Sequence, residues 1–220
     1  MASTSAIVNR VLRSATAPIL RGAGFAIIDS RNAWRWSGQA ICVYNVRAVG
    51  LYFSKVTGWP PSSVNVSLGT YFPFIARKDG IKVDADGRLL PAEYQCQMRS
   101  HLECGLEYPE KRQSLSNPAE RSRKDLWWID PDGSNAIEVA ADIAAALQQF
   151  GLPWFDRQSD LRLALAEVEE QQDCFTKHDT AAFLAREIGD KAHLKTYAAK
   201  AEAEALRINL SMDRQARYGA

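Results

Sequence analysis

Behind a first helical stretch, the spacing of apolar residues changes from strand-like to helical at the pair Trp127-Trp128, and that change limits the folds open to the chain. Ahead of the pair, apolar residues alternate with polar ones or run in short blocks, as strands require. Behind it they recur every three or four residues, as helices require. The stretch Asp125–Phe155 joins the two regimes. It carries Trp127-Trp128, a turn at Pro131-Asp132-Gly133 and the closing run Gly151-Leu152-Pro153-Trp154-Phe155, with three of the six tryptophans inside it.

Before the strands, Ser3 to Arg21 reads as an amphipathic helix. Ile7, Val11, Ala15 and Ile19 repeat at helical spacing, Val8 and Leu12 widen the stripe, and Ser3 or Ser5 supplies a cap. Pro18 is expected to end or kink this helix, because it lacks an amide and crowds the preceding turn. From Phe25 to Leu106 the period is near two: Trp34 and Trp36 flank Arg35, and Val64, Val66 and Leu68 alternate with Asn65, Ser67 and Gly69. The apolar runs Ile41–Val46 and Gly50–Phe53 fit central strands. Turn chemistry at Asp29-Ser30-Arg31-Asn32, Gly58-Trp59-Pro60-Pro61 and Asp84-Ala85-Asp86-Gly87 implies short connections, hence an antiparallel or mixed sheet. Glu107 to Lys124, polar and holding Pro109 and Pro118, reads as a long loop, mobile before functional.

Beyond the Trp pair, Asn135 and Glu138 suggest a capping box for a helix with Ala136, Ala140, Ile143, Leu147 and Phe150 on one face. Gly151 is expected to cap its end and Pro153 to prevent its resumption. Leu161, Leu165 and Val168 mark a second helix, and Phe183, Leu184 and Ile188 a third, closed by Gly189. Leu194, Ala198, Ala201, Ala205 and Ile208 mark a fourth. The last two form a helical hairpin whose small residues permit close packing on a neighbour. The fold class that follows is α+β. An antiparallel sheet is packed by the first helix and the helix after the Trp pair, residues 1–156, with a helical extension over 157–220.

The hydrophobic share of 46% and charged share of 24% are ordinary for a globular protein. A formal net charge of +1 gives no electrostatic case for nucleic acid or membrane as partner. Cys42, Cys96, Cys104 and Cys174 lack the spacing of a disulfide framework. No leader and no apolar segment near the roughly 20 residues of a membrane span is visible, so the expected location is the cytoplasm.

Cys96, His101 and Cys104 are the nearest approach to a metal set, but strand alternation turns both thiols one way with Met98 and Leu102. The imidazole turns the other way, so no metal and no cofactor is expected. Asp84-Ala85-Asp86-Gly87 resembles a calcium loop with Lys82 where its first acid would stand, which favours a hairpin turn. There is no nucleophile elbow, phosphate-binding glycine loop or zinc-protease helix. Arg99, His101 and Glu103, with Asn65 and Ser67 on a second strand, are the weak catalytic candidates, as acid–base groups on a polar sheet face; a solvated face is the plainer expectation. Arg35, Asn65, Trp127 and Trp128 are the binding candidates, one indole expected in the core and the other half-exposed as an interface anchor. Arg112, Arg121, Arg123 and Lys124 form the local basic group that a nucleic-acid partner would need.

The landmarks Gly24-Phe25, Trp34-Arg35, Val64–Gly69, Cys96–Leu102, Trp127-Trp128 and Gly151-Leu152-Pro153-Trp154, in that order over about residues 5–156, resemble the bacterial family known as domain of unknown function 4304. Members of that family tend to have a further arginine where this chain has Ser100-His101, so only Arg99 matches. The resemblance implies a small α+β domain and no established activity. With it, the expected function is a non-enzymatic interaction protein, such as a toxin-neutralising or other accessory component, meeting a protein partner or its own copy through the C-terminal helices. The alternative is a hydrolase or nucleic-acid-processing enzyme working on the polar sheet face.

Overall fold

A computed structural model describes residues 4–75, 80–210 and 212–219, with backbone only at Thr4, Ser5 and Gln215. Helix α1 (Thr4–Gly22) leads into a hairpin of β1 (Ile27–Ile28) and β2 (Asn32–Ser37), closed by Asp29, which accepts from the amides of Arg31 and Asn32. The chain returns as β3 (Ala40–Ala48), crosses through α2 (Gly50–Thr57) and runs back as β4 (Val64–Tyr71). A small hairpin of β5 (Lys82–Val83) and β6 (Leu89–Leu90) and a 3-10 turn at Glu93–Gln95 precede β7 (Met98–His101). The main sheet is antiparallel throughout, in the order β1-β2-β3-β4-β7.

Helices follow: α3 (Pro109–Gln113), α4 (Pro118–Arg121), α5 (Ala136–Ala146), α6 (Leu152–Ser159), α7 (Leu161–Glu169), α8 (Phe175–Glu187), α9 (Lys191–Arg207) and α10 (Arg214–Tyr218). The fold is therefore α+β, with an antiparallel sheet and a C-terminal helical hairpin of α8 and α9, as the change of period predicts. No helix among the described residues is long and apolar enough to cross a membrane.

The two sheet faces differ. On the inner face Tyr44, Val46, Val66 and Leu68 are buried under Leu12 and Leu20 of α1, Ile143 of α5 and Phe155 of α6. Further along the same face Ala40, Phe72 and Met98 pack against α7, α8 and α9. The division expected after residue 156 falls inside α6. The alanines of the hairpin, Ala181, Ala182, Ala185, Ala198 and Ala201, are all buried in this second cluster, so the small-residue seam is occupied within the chain. On the outer face, Trp34, Ile41, Val43 and Tyr71 are covered by Ile81, Leu89, Leu90 and Cys96 of the small hairpin and the turn after it.

Several local expectations are corrected. Gly50–Phe53 is not a strand but the first turn of α2, which Gly58 closes in the left-handed conformation (φ 87°) with its amide on Ser54 O. A four-residue apolar run carries no period long enough to separate the two states. Helix α1 passes through Pro18, because that residue faces solvent and the carbonyl it leaves unpaired, on exposed Ser14, is open to water. Its buried stripe is Val8, Leu12, Thr16 and Leu20; Ile7 is 47% exposed. Ser3 lies outside the described residues, as does the side chain of Ser5. Asn135 does not cap α5; its amide instead bridges Asp130 N (2.9 Å) and Trp128 O (2.8 Å).

Gly151 does not end a helix either. The chain passes through one π turn, Leu147–Gly151, into α6, with Pro153 in the turn that follows. The wide turn rotates Phe150 outward, leaving it 64% exposed. A Cβ at Gly151 would meet Leu147 Cδ1 at 2.9 Å and Leu102 Cδ2 at 3.2 Å, so glycine lets this turn press on the sheet. His178, near the start of α8, is buried and stacked on Tyr197 with ring centroids 6.0 Å apart.

Gly69 is the tightest point of the outer face: an added Cβ would sit 2.6 Å from Cys96 Sγ and 3.3 Å from Glu93 O. Gly69→Ala should therefore lower stability by about 1–3 kcal/mol through overpacking, read as a lower urea midpoint at unchanged slope.

Candidate functional site

Strand register arranges the uncovered half of the outer face in rows. Asn32 stands opposite Asn45, Asn45 opposite Ser67, and Ser67 opposite His101; beside them Arg47 stands opposite Asn65. The next row, Trp34, Val43, Gly69 and Arg99, already lies at the edge of the covered half. The polar rows are tied laterally, Asn45 Nδ2 donating to Asn32 Oδ1 at 2.7 Å and Asn65 Nδ2 to Ser67 Oγ at 3.3 Å.

The sequence-derived residues fall at different places in this frame. Arg99, His101 and Glu103 do share the outer face, and all three are exposed. Arg99 donates to Glu93 Oε1 at 2.6 Å with 54% of its side chain in solvent. The cleft that His101 borders is mostly apolar, with Ser100, Gln149 and Arg157 as its other polar residues, and lacks Arg99 and Glu103. No enclosed acid–base pair results. Cys96, His101 and Cys104 are not brought together: Cys96 is in the outer core, His101 is in solvent, and Cys104 lies against Leu106 O and Tyr108. Burial pushes the Cys104 thiol up to about 11 and raises that of Cys42, which suits neither for nucleophilic attack at neutral pH.

The binding candidates need correction too. Arg35 is a core group. Its guanidinium lies between the Phe25 and Phe155 rings (5.5 and 5.9 Å), donates to Ala23 O at 3.2 Å and pairs with Asp156 at 2.9 Å. Trp127 and Trp128 do point to opposite sides, Trp127 into the core under α5 and Trp128 against Trp59, Leu115 and Leu126. Neither is half-exposed, because each indole nitrogen finds a buried-side partner: Asp142 for Trp127 at 2.7 Å, Asp130 for Trp128 at 3.0 Å. Only Asn65 remains at a surface opening.

The segment 107–124 folds onto Trp59 as two short helices. Leu115 is buried below Gly58, and Trp59 Nε1 donates to Glu120 Oε2 at 3.0 Å. Its basic residues serve that packing: Arg112 lies over the Trp59 and Tyr108 rings at 5.9 Å, and Arg121 donates to Leu115 O at 2.8 Å. Arg123 is held by Asp125 and Glu120 and covers the Phe53 ring at 5.5 Å.

Two features here were not read from the sequence. A cavity of about 280 Å³ opens where the polar rows meet α2, lined by Arg47, Ala48, Val49, Phe53, Asn65, Arg123 and Leu126. Beside it α2 turns Leu51 (71% exposed), Tyr52 (84%) and Val56 (63%) into solvent. The signal was present: Gly50 and Gly58 bracket the segment, and Tyr52 and Val56 are four apart. Comparison with family models, curated proteins and solved structures finds no match for the chain.

Hydrogen bonds from Arg123 hold the Asp125 carboxyl below the usual carboxylate range, against the opposing effect of burial, with His101 close enough to add to the lowering. A depressed carboxylate contributes stability that is complete above its unfolded value of 3.8 and disappears as pH falls through the lower folded value. Asp125→Asn should thus be less stable than the parent at neutral pH, with the difference closing in acid. Urea midpoints of both proteins across that range check it, and a constant difference would contradict it.

Proposed function

We propose that this chain is a protein-binding module whose contact surface is the ridge of α2 and the open polar half of the outer sheet face. The observation that carries this reading is the exposure of Leu51, Tyr52 and Val56 on one eight-residue helix. Three large apolar side chains side by side in water are costly to maintain, and such clusters beside polar rims mark contact surfaces. Tyr52 is of the residue type that most often dominates such contacts.

Rigidity supports the same reading. At the foot of α2, Trp59 is fully buried, packs on Trp128 with ring centroids 5.4 Å apart, and is tied to Glu120. A ridge on such a base loses little freedom on binding, which leaves more of the contact energy as affinity. The C-terminal hairpin is the weaker candidate surface, since its alanine seam is already filled. The enzyme alternative has the solvated trio Arg99, His101 and Glu103 behind it and no enclosing cavity. A toxin-neutralising role, and a kinship with the domain of unknown function 4304 family, which implies a small α+β domain and no established activity, belong to this proposal as its more specific form.

Capture of partners from a lysate of the source organism by parent, Tyr52→Ala and Tyr94→Ala tests it. Tyr94 is a fitting control, being 68% exposed away from the ridge. The expected result is one partner kept by Tyr94→Ala and weakened by about 2 kcal/mol or more in Tyr52→Ala. Equal capture by all three proteins overturns the proposal.

A further inference from the structure

The cavity beside α2 has a chemistry that the ridge lacks. Arg47 at its rim is exposed and makes no ion pair among the described residues. Asn65 beneath it has a buried side-chain Oδ1 without a hydrogen-bond partner. Turning the Asn65 amide about its axis would leave the nitrogen orphaned instead, so one polar end is unsatisfied in either orientation. Arg123, by contrast, is neutralised by Asp125 and Glu120 and lies on Phe53, so it acts as a fixed wall. Val49, Phe53 and Leu126 make the rest of the lining apolar.

A ligand for this space needs one negative charge for Arg47, a group with both donor and acceptor for Asn65, and a small apolar body. A carboxylate meets a guanidinium through two parallel hydrogen bonds. A peptide group carries N–H and C=O together, and therefore pairs with a side-chain amide whichever way that amide is turned. The last residue of a polypeptide brings all three within one residue: its α-carboxylate, the peptide group before it, and its side chain.

We infer that the cavity captures the C-terminus of a partner chain. Arg47 clamps the terminal carboxylate, the Asn65 side chain turns its enclosed amide oxygen into the cavity to pair with the last peptide group, and Phe53 and Leu126 receive a terminal aliphatic side chain. The residues upstream of that end run over the polar rows of Asn45 and Ser67. This rests on the protein-binding reading and names the part of the partner that is recognised.

The test is a nuclear magnetic resonance titration of the labelled full chain with an N-acetylated Ala-Ala-Ala-Leu peptide ending in a free carboxylate, the same peptide ending in a carboxamide, and 4-methylpentanoate. The carboxylate peptide should shift the Asn65 side-chain amide and bind about tenfold tighter than the carboxamide. Arg47→Ala should abolish that difference, whereas Tyr52→Ala should keep it, since Tyr52 lies outside the cavity. Equal binding of the two peptides, or indifference to Arg47→Ala, overturns the inference. 4-Methylpentanoate, which has the carboxylate and the aliphatic body without a peptide group, binding as tightly as the carboxylate peptide overturns it as well, in favour of a free small acid. Failure here with Tyr52-dependent capture intact removes the clamp alone; the opposite pattern removes the ridge.

Discussion

The pairing of β3 with β4, from Ile41 opposite Tyr71 to Ala48 opposite Val64, is the interaction on which the molecule is arranged. It is the longest ladder of the sheet, and its alternation assigns every neighbouring side chain to one face. Inward it presents Tyr44, Val46, Val66 and Leu68 to the helices; outward it presents Val43 and Tyr71 to the small hairpin, then Asn45, Arg47, Asn65 and Ser67 to water. A slip of one residue would place asparagine and arginine under α1 and α5, where nothing could satisfy them. The same register therefore sets both the core and the polar surface at whose end the cavity opens.

Much of this was legible where period alone decides. The alternation of Val64 to Gly69 correctly separates buried valines from Asn65 and Ser67, and the stepping of Leu194, Ala198, Ala201 and Ala205 correctly gives a helix packed on a neighbour. Legibility ended where tertiary contact outranks local signal. Gly151 and Pro153 are a helix-ending pair by local rules, yet burial of Leu147 and Phe155 on either side holds the chain helical through a π turn. Arg35 reads as a binding group, but Phe25, the distant Phe155 and Asp156 enclose it. Its desolvation, a cost of several kcal/mol for a buried ion, is offset only by partners that no local window contains.

For the site, sequence supplied the residues without their neighbourhood. Asn65 was singled out as one of a polar row; the cavity above it exists because α2 and Leu126, from separate parts of the chain, form its walls. The tryptophans misled for a related reason. Side-chain size suggests an interface anchor, whereas Trp59, Trp127 and Trp128 are each buried with their ring nitrogen bonded to a carboxylate. These three indoles brace the platform, while Leu51, Tyr52 and Val56 on α2 are presented to solvent.

Helix α1 has a consequence for how the chain is made. It is synthesised well before α5, yet the surface that shields Val8, Leu12 and Leu20 includes that later helix. Throughout that interval the nascent chain carries a greasy stripe with half of its cover missing, beside strands able to form hairpins on their own. Only once translation has passed Ala146 can the inner core close over that stripe, so until then it is open to the non-native contacts that any incomplete core invites.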